Sequence, residues 1–242
     1  MQADEGSRWT RRVAATSAVL LTLAAVWVAA FELGLTVSSP PPFDSGTDAE
    51  LEAWYAWVAT TLPQRRLARL LLAVGLAGVG LTALRTAAVA WGSRAGAVCV
   101  AVGAGVWCLA DLTQAGGQEA VRQLAGSGNP ISAVASVAYT VDVTTAWVEA
   151  GGSVLLGLGA AAMRRTFLHE PRTRRLGVCS ALVALAGVII LAMIIAPDVD
   201  ATPAGVALGA VLLPIWVVWL SRVPQPTATG DHGIAATITV GG

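Results

Sequence analysis

Six stretches of this chain are apolar and long enough to cross a lipid bilayer, and this pattern restricts the fold more than any other feature. A membrane-spanning helix needs about 20 mostly apolar residues, because the hydrocarbon core of a bilayer is about 30 Å thick. No strand-like alternation over about ten residues recurs, so a β-barrel is not expected. We therefore predict an all-α transmembrane bundle of six spans, at residues 13–36, 67–91, 95–112, 133–163, 177–196 and 203–220.

The composition agrees with a membrane location. Only 12% of the 242 residues are charged and the mean hydropathy is +0.68, whereas about a quarter of the residues of a typical soluble domain are charged. The formal net charge is zero, which gives no reason to expect a nucleic-acid partner. All basic residues are Arg, so chemistry that needs Lys, such as a Schiff base or a P-loop, is excluded. The two His and three Cys leave little material for a metal site, and we predict neither a metal nor a cofactor.

The distribution of Arg predicts the orientation, because cytoplasmic loops are enriched in basic residues. With both termini in the cytoplasm, eleven Arg lie on the inner side, whereas the outer side has four, namely Arg65, Arg66, Arg69 and Arg122. We expect this orientation, in the plasma (inner) membrane. The most basic inner loop is expected to contact anionic lipid or a protein partner. Its arginines are Arg164, Arg165, Arg172, Arg174 and Arg175.

The first span has an alternative interpretation as a cleaved signal peptide. Arg8, Arg11 and Arg12 precede its apolar run, and residues 28–30 resemble a signal-peptidase site. The apolar run before that site exceeds the usual length of about 7–15 residues. We therefore expect a span that is not cleaved, and a mature N-terminus at Phe31 would contradict this.

The spacing of apolar residues predicts a short outer helix over 47–62. Thr47 and Glu50 have the spacing of a capping box, and Pro63 is expected to end the helix. One apolar stripe follows the helix, formed by Leu51, Trp54, Tyr55, Val58 and Leu62. We expect this helix to lie at the membrane interface. Two alternatives are a lid on the outer ends of the spans and a surface that binds a peptide or a lipid.

Glycine and proline predict the remaining breaks. Gly116, Gly117 and the segment 126–130 are expected to interrupt the chain between the third and fourth spans. Residues 223–242 are rich in Pro, Thr, Gly and Ala and are predicted to form a disordered cytoplasmic tail after a membrane domain at 1–222. Pro214 is expected to kink the last span.

Rows of small residues predict where the helices pack closely, because small side chains allow backbones to approach each other in lipid. Three such rows lie in the predicted spans: Ala97, Ala101 and Gly105; Ser153, Gly157 and Ala161; and Gly205 with Gly209.

Ionisable residues within the spans are the candidate functional residues, because a charge in lipid is costly. Asp142 and Glu149 are seven residues apart and therefore lie within about 20° of each other on one helix face. At about 1.5 Å per residue, these two acids, Asp111 and Glu32 all fall in the outer half of the membrane. Arg85, near the inner third, is a possible counter-charge for Glu149.

Two interpretations of these acids remain open. The carboxylates could line an outward-facing vestibule that binds a proton, a metal ion or an organic cation. Alternatively, Asp111 and Asp142 reach the outer headgroups or pair with Arg69 or Arg122, and Glu149 bonds to a neighbouring helix or is protonated. No catalytic residue is predicted, since none of the motifs considered places a nucleophile beside a base.

Two segments carry a resemblance to a known class of proteins. The apolar end of the fourth span, 154–162, runs into the Arg-rich loop with Pro171, and the last span ends in LPIWVVWL at 213–220. The chain resembles an uncharacterised class of six-span integral membrane proteins from high-GC, actinobacterial-type bacteria. This resemblance implies the fold and the location and no activity. We expect a non-enzymatic integral membrane protein, either an accessory or a regulatory subunit. The alternative is a small cation- or proton-coupled transporter that uses the outer carboxylates.

Overall fold

The structure, a computed structural model, describes residues 2–32, 47–87, 94–168, 171–196 and 202–223. Every regular element in these ranges is helical, as predicted. The elements are α1 Gln2–Glu32, α2 Asp48–Ala87, α3 Arg94–Gly126, α4 Ile131–Leu168, α5 Arg174–Ile195, α6 Thr202–Ala207, a π-helical turn Leu208–Leu212, and α7 Leu213–Leu220. Apart from Val223, the predicted tail lies outside the described residues.

Five helices are long and apolar enough to cross a membrane, as expected for a multi-pass membrane protein. They match the first five predicted spans, except that residues 33–36 and 88–91 lie outside the described ranges and Ala196 follows the end of α5. The sixth predicted span corresponds to a shorter apolar helix, Gly205–Leu220. At 1.5 Å per residue this helix is about 24 Å long, less than the thickness of the hydrocarbon core.

The predicted helix end at Pro63 is wrong. Helix α2 starts after Thr47, as predicted, and the Glu50 backbone N–H donates to Thr47 Oγ1 at 3.4 Å, but the helix continues through Pro63 to Ala87. A proline costs one backbone hydrogen bond, which tertiary packing can offset. Here Leu62 on one side and Ala68 on the other are both buried. The outer helix and the second span are therefore one continuous element.

The predicted break at Gly116 and Gly117 is also wrong, because α3 runs through both residues. Gly117 allows close packing instead: a Cβ at this position would lie 2.5 Å from Cγ1 of Val141 on α4. The turn after it is confirmed. Gly128 has a φ of +76°, a conformation that glycine adopts without strain.

A seam of glycines joins α3 to α4. A Cβ on Gly152 would lie 2.9 Å from the carbonyl oxygen of Gly103, and a Cβ on Gly159 would lie 2.5 Å from that of Gly96. The two glycines of each helix are seven residues apart and pair in opposite chain directions, so the helices are antiparallel. We call these four residues the glycine seam.

The predicted rows of small residues are partly correct. In the row that includes Ser153, Gly157 packs against α5, where a Cβ would lie 3.2 Å from Cα of Ala184. In contrast, Gly105 faces open space, so α3 approaches α4 through a neighbouring face of the helix. Gly209 lies near Ala25 of α1, whereas Gly205 has no neighbour within 4 Å among the described residues.

Helix α7 packs against both α1 and α5. Because α1 to α5 each contact the next helix in the chain, α7 completes a ring of helices. Trp216 is fully buried, and its Nε1 donates to Ser180 Oγ of α5 at 2.8 Å. Pro214, which was predicted to kink the last span, lies in the first turn of α7, directly after the π-helical turn. Since proline has no N–H, the carbonyl oxygen of Ala210 loses its α-helical donor, and Thr22 Oγ1 of α1 donates to that oxygen at 3.2 Å.

Candidate functional site

Arg69 on α2 contacts two carboxylates that come from two other helices. Its Nη1 lies 2.6 Å from Oδ1 of Asp111 on α3 and 2.5 Å from Oε1 of Glu149 on α4. The Asp111 side chain is fully buried, and the side chains of Arg69 and Glu149 are 22% and 23% exposed. We call these three residues the charge cluster.

The charge cluster lies within the apolar part of the bundle. Arg69 belongs to the apolar stretch Thr60–Thr86 of α2, about 14 Å of helix from its first residue and about 26 Å from its last. The glycine seam brings α3 and α4 together, and the long Arg69 side chain spans the offset between their two carboxylates. The cluster therefore joins three helices, α2, α3 and α4.

The charges in the cluster are unequal. Two carboxylates share one guanidinium nitrogen, and Oδ2 of Asp111 is buried without a hydrogen-bond partner. If both acids are ionised, the cluster carries one negative charge in a region where charge is costly. One bound proton would neutralise the cluster and supply a donor, which is the chemistry this arrangement can perform.

The structure places the other predicted acids apart from this cluster. Asp142 accepts a hydrogen bond from Gln114 Nε2 at 3.4 Å, although it shares a helix face with Glu149. Glu32 is the last residue of α1, and its side chain lies outside the described part of the chain. Asp111 pairs with Arg69, as one of the two interpretations expected. Arg122 pairs instead with Glu119, with an Nη2–Oε1 distance of 2.6 Å.

Arg85 is not the counter-charge of Glu149, as the sequence had suggested it could be. Its guanidinium carbon lies 5.8 Å from the ring centroid of Trp9, beside the first turns of α1. The antiparallel packing of α1 and α2 explains this position, because residue 85 lies about 24 Å along α2 from Arg69. Arg69, which the sequence interpretation had assigned to the outer side, is instead the counter-charge of Glu149.

The predicted basic loop joins α4 to α5. Thr173 Oγ1 donates to the carbonyl oxygen of Phe167 at 2.8 Å, which ties the two helix ends together. Two of its arginines, with Arg222 after α7 and the Trp219 side chain, line a cavity of about 320 Å³. All five predicted arginines of the loop are exposed: Arg164, Arg165, Arg172, Arg174 and Arg175.

A larger cavity of about 530 Å³ opens at the opposite end of the bundle, between α1, α2, α3 and α4. Arg69 belongs to its lining, so one guanidinium connects the cavity to both carboxylates of the charge cluster. Asp142, Gln114, Gln118 and Arg65 also belong to its lining. We call this space the outer cavity, after the orientation that the arginines predict.

The start of α2 covers the outer cavity. Leu51, Trp54 and Tyr55 of the predicted outer helix line it, and Trp57 is buried. This packing favours the lid interpretation over a helix lying on the lipid surface. Burial, and secondly the nearby charge of Asp142, raise the pKa of Tyr55 above its ordinary value, so its hydroxyl keeps its proton at neutral pH.

Among the described residues, no group of three or more His, Cys, Asp or Glu side chains is placed to hold a metal ion. Comparisons with models of protein families, with curated proteins and with solved structures found no match for this chain. The function is therefore inferred from the charge cluster and the outer cavity.

Proposed function

We propose that this protein is a small proton- or cation-coupled transporter in which Asp111 and Glu149 exchange a proton or a cation beside Arg69. The observation that carries this proposal is that two carboxylates share one guanidinium nitrogen inside an apolar bundle. An accessory subunit would not need such a group, because an ionisable cluster costs stability that apolar residues would not.

The position of Arg69 supports coupling between the cluster and a ligand. A ligand in the outer cavity and a proton on Asp111 or Glu149 both act on the same guanidinium. If each changes the affinity for the other, the effect is reciprocal by thermodynamic linkage. Binding in the cavity would then alter proton uptake by the cluster, which is the basic requirement for coupled transport.

The proposal includes six spans in the plasma membrane, with both termini in the cytoplasm. The short helix Gly205–Leu220 would be the sixth span, accommodated by local thinning of the bilayer. The exposed arginines between α4 and α5 support the orientation, because they would lie on the inner side. The outer cavity would then open to the outside.

Purified protein in vesicles loaded with a pH-sensitive dye tests this function. Addition of Na⁺ or K⁺ outside should change the internal pH, and the change should be lost in Glu149→Gln and in Asp111→Asn. Glu119→Gln is the matched control, because Glu119 is also an α3 carboxylate paired with Arg but belongs neither to the charge cluster nor to the lining of the outer cavity. Equal pH changes in vesicles with and without the protein would contradict the proposal.

An accessory or regulatory membrane protein is the second candidate, and the basic loop favours it. Three arginines around one cavity, Arg172, Arg175 and Arg222, could contact an anionic lipid or a protein partner on the cytoplasmic side. In this case Arg172→Ala with Arg175→Ala should weaken binding to vesicles that contain anionic lipid, and Glu149→Gln should leave that binding unchanged.

A further inference from the structure

The polar lining of the outer cavity is rich in hydrogen-bond acceptors. Oε1 of Gln114 and Oε1 of Gln118 are both buried and have no hydrogen-bond partner, and both residues line the cavity. They are four residues apart on α3 and therefore lie on one face of that helix. Buried polar atoms in proteins are normally paired, so the occupant that fits this lining is one that donates hydrogen bonds.

The charges around the cavity favour a cation. Of the two arginines in the lining, Arg69 is engaged with Asp111 and Glu149. The other, Arg65, lies 4.6 Å over the ring centroid of Trp57, and its Nε donates to Thr61 Oγ1 at 3.2 Å. Both arginines of the lining are thus engaged with other groups, whereas Asp142, the carboxylate of the lining, accepts one hydrogen bond, from Gln114 Nε2 at 3.4 Å. This carboxylate can serve as the counter-charge of a cation in the cavity, whereas it would repel an anion.

Aromatic side chains form another part of the lining. Trp54 and Tyr55 of α2 and Tyr139 of α4 all line the cavity. Aromatic faces attract organic cations and also bury their apolar groups. A bare metal ion would gain little from these rings, and the cavity volume of about 530 Å³ lies within the ordinary range for small organic ligands.

We propose that the outer cavity binds a small organic ammonium compound. Asp142 is its counter-ion, and Oε1 of Gln114 and Oε1 of Gln118 accept its N–H groups. The rings of Trp54, Tyr55 and Tyr139 pack against its carbon skeleton. This inference rests on the proposed function in one respect, namely that the ammonium compound would be the transported cation. Binding to the cavity itself does not require transport.

Calorimetric titration of the full chain in lipid nanodiscs tests the ligand class with four probes. Phenethylammonium carries N–H donors and a positive charge, tetraethylammonium carries the charge alone, and 2-phenylethanol and phenylacetate are the neutral and anionic counterparts. We expect phenethylammonium to bind at least about tenfold more tightly than the neutral and anionic probes. Preferred binding of phenylacetate, or no binding by any probe, would overturn the proposal, and the latter result would leave water as the occupant.

Two variants of the lining separate the roles of charge and donors. Asp142→Asn should weaken both cationic probes by about tenfold or more. Gln118→Leu should weaken phenethylammonium and leave tetraethylammonium nearly unchanged, because only the first needs an acceptor. Glu119→Gln, one residue along α3 from Gln118, is the control and should bind all probes as the wild type does. Unchanged binding of phenethylammonium in both folded lining variants would refute the site.

The same proteins keep this inference distinguishable from the proposed function. Phenethylammonium binding without any change of internal pH in the vesicle experiment would support the site and contradict transport. A pH change driven by Na⁺, together with no ammonium binding, would support transport and contradict the ligand class.

Discussion

Helices α3 and α4 contact each other in two different ways along their length. Toward the start of α3, the glycine seam brings the backbones together, and small residues replace side-chain contacts. Toward its end, the same helices carry the carboxylates of Asp111 and Glu149 and line the outer cavity with Asp142 and two glutamines. Small residues allow helix backbones to approach each other in lipid, and the seam accounts for the close contact of α3 and α4 at this end. The polar half adds charged and hydrogen-bonding groups, which close packing of two helices does not require.

The largest effect should come from removing the cation of the charge cluster. Arg69→Met leaves Asp111 and Glu149 without their shared partner, and we expect a loss of about 3–5 kcal/mol in the free energy of unfolding. Unfolding of the purified protein by denaturing detergent measures this loss. Adding Asp111→Asn and Glu149→Gln should recover most of it, because neutral side chains need no cation. A triple variant as unstable as the single one would show that the charges are not the cause.

The glycine seam should be less sensitive to substitution than the charge cluster but far more sensitive than an open helix face. A Cβ at Gly103 would collide with the backbone of α4 near Leu156, and overpacking of this kind costs about 1–3 kcal/mol. Gly103→Ala should therefore unfold earlier in the same assay. Gly105→Ala is the matched control on α3, because Gly105 faces open space among the described residues. Equal destabilisation by the two would contradict the assigned seam.

The smallest effect should come from a charged contact at the surface of α3. Glu119 pairs with Arg122 and with Arg66, at 2.6 Å and 2.8 Å, and solvent screening makes such pairs weak. Glu119→Gln should change the unfolding midpoint much less than either substitution above. A decrease in stability as large as that caused by Arg69→Met would contradict this expectation. It would mean that an ion pair contributes equally to stability whether it is exposed or buried.

The sequence was sufficient to predict the helices but not all of their ends. Apolar length alone identifies the five long helices, because lipid leaves no alternative to internal backbone pairing. The breaks predicted at Pro63 and at Gly116 with Gly117 failed for a different reason. Local preferences for turns are weak compared with packing on both sides of the residue, and packing partners come from other helices.

The residues of the candidate site were predicted only in part, because their contacts also come from other helices. Helical spacing and depth single out Asp111, Asp142 and Glu149, but depth along one helix does not say which long side chain reaches them. The sequence interpretation considered Arg69 as a partner of Asp111 and Arg85 as a partner of Glu149, whereas the structure pairs both acids with Arg69. The signal that could have favoured Arg69 is its place inside the predicted second span, 67–91, where an unpaired Arg would be costly.

The order of apolar and polar residues by itself determined that this chain forms long helices in lipid and carries acids within them, because the bilayer acts on each segment separately. Only the tertiary structure decided that one guanidinium of α2 joins acids of α3 and α4 beside the outer cavity. That arrangement depends on the register between helices, which the glycine seam sets through contacts between residues far apart in the chain.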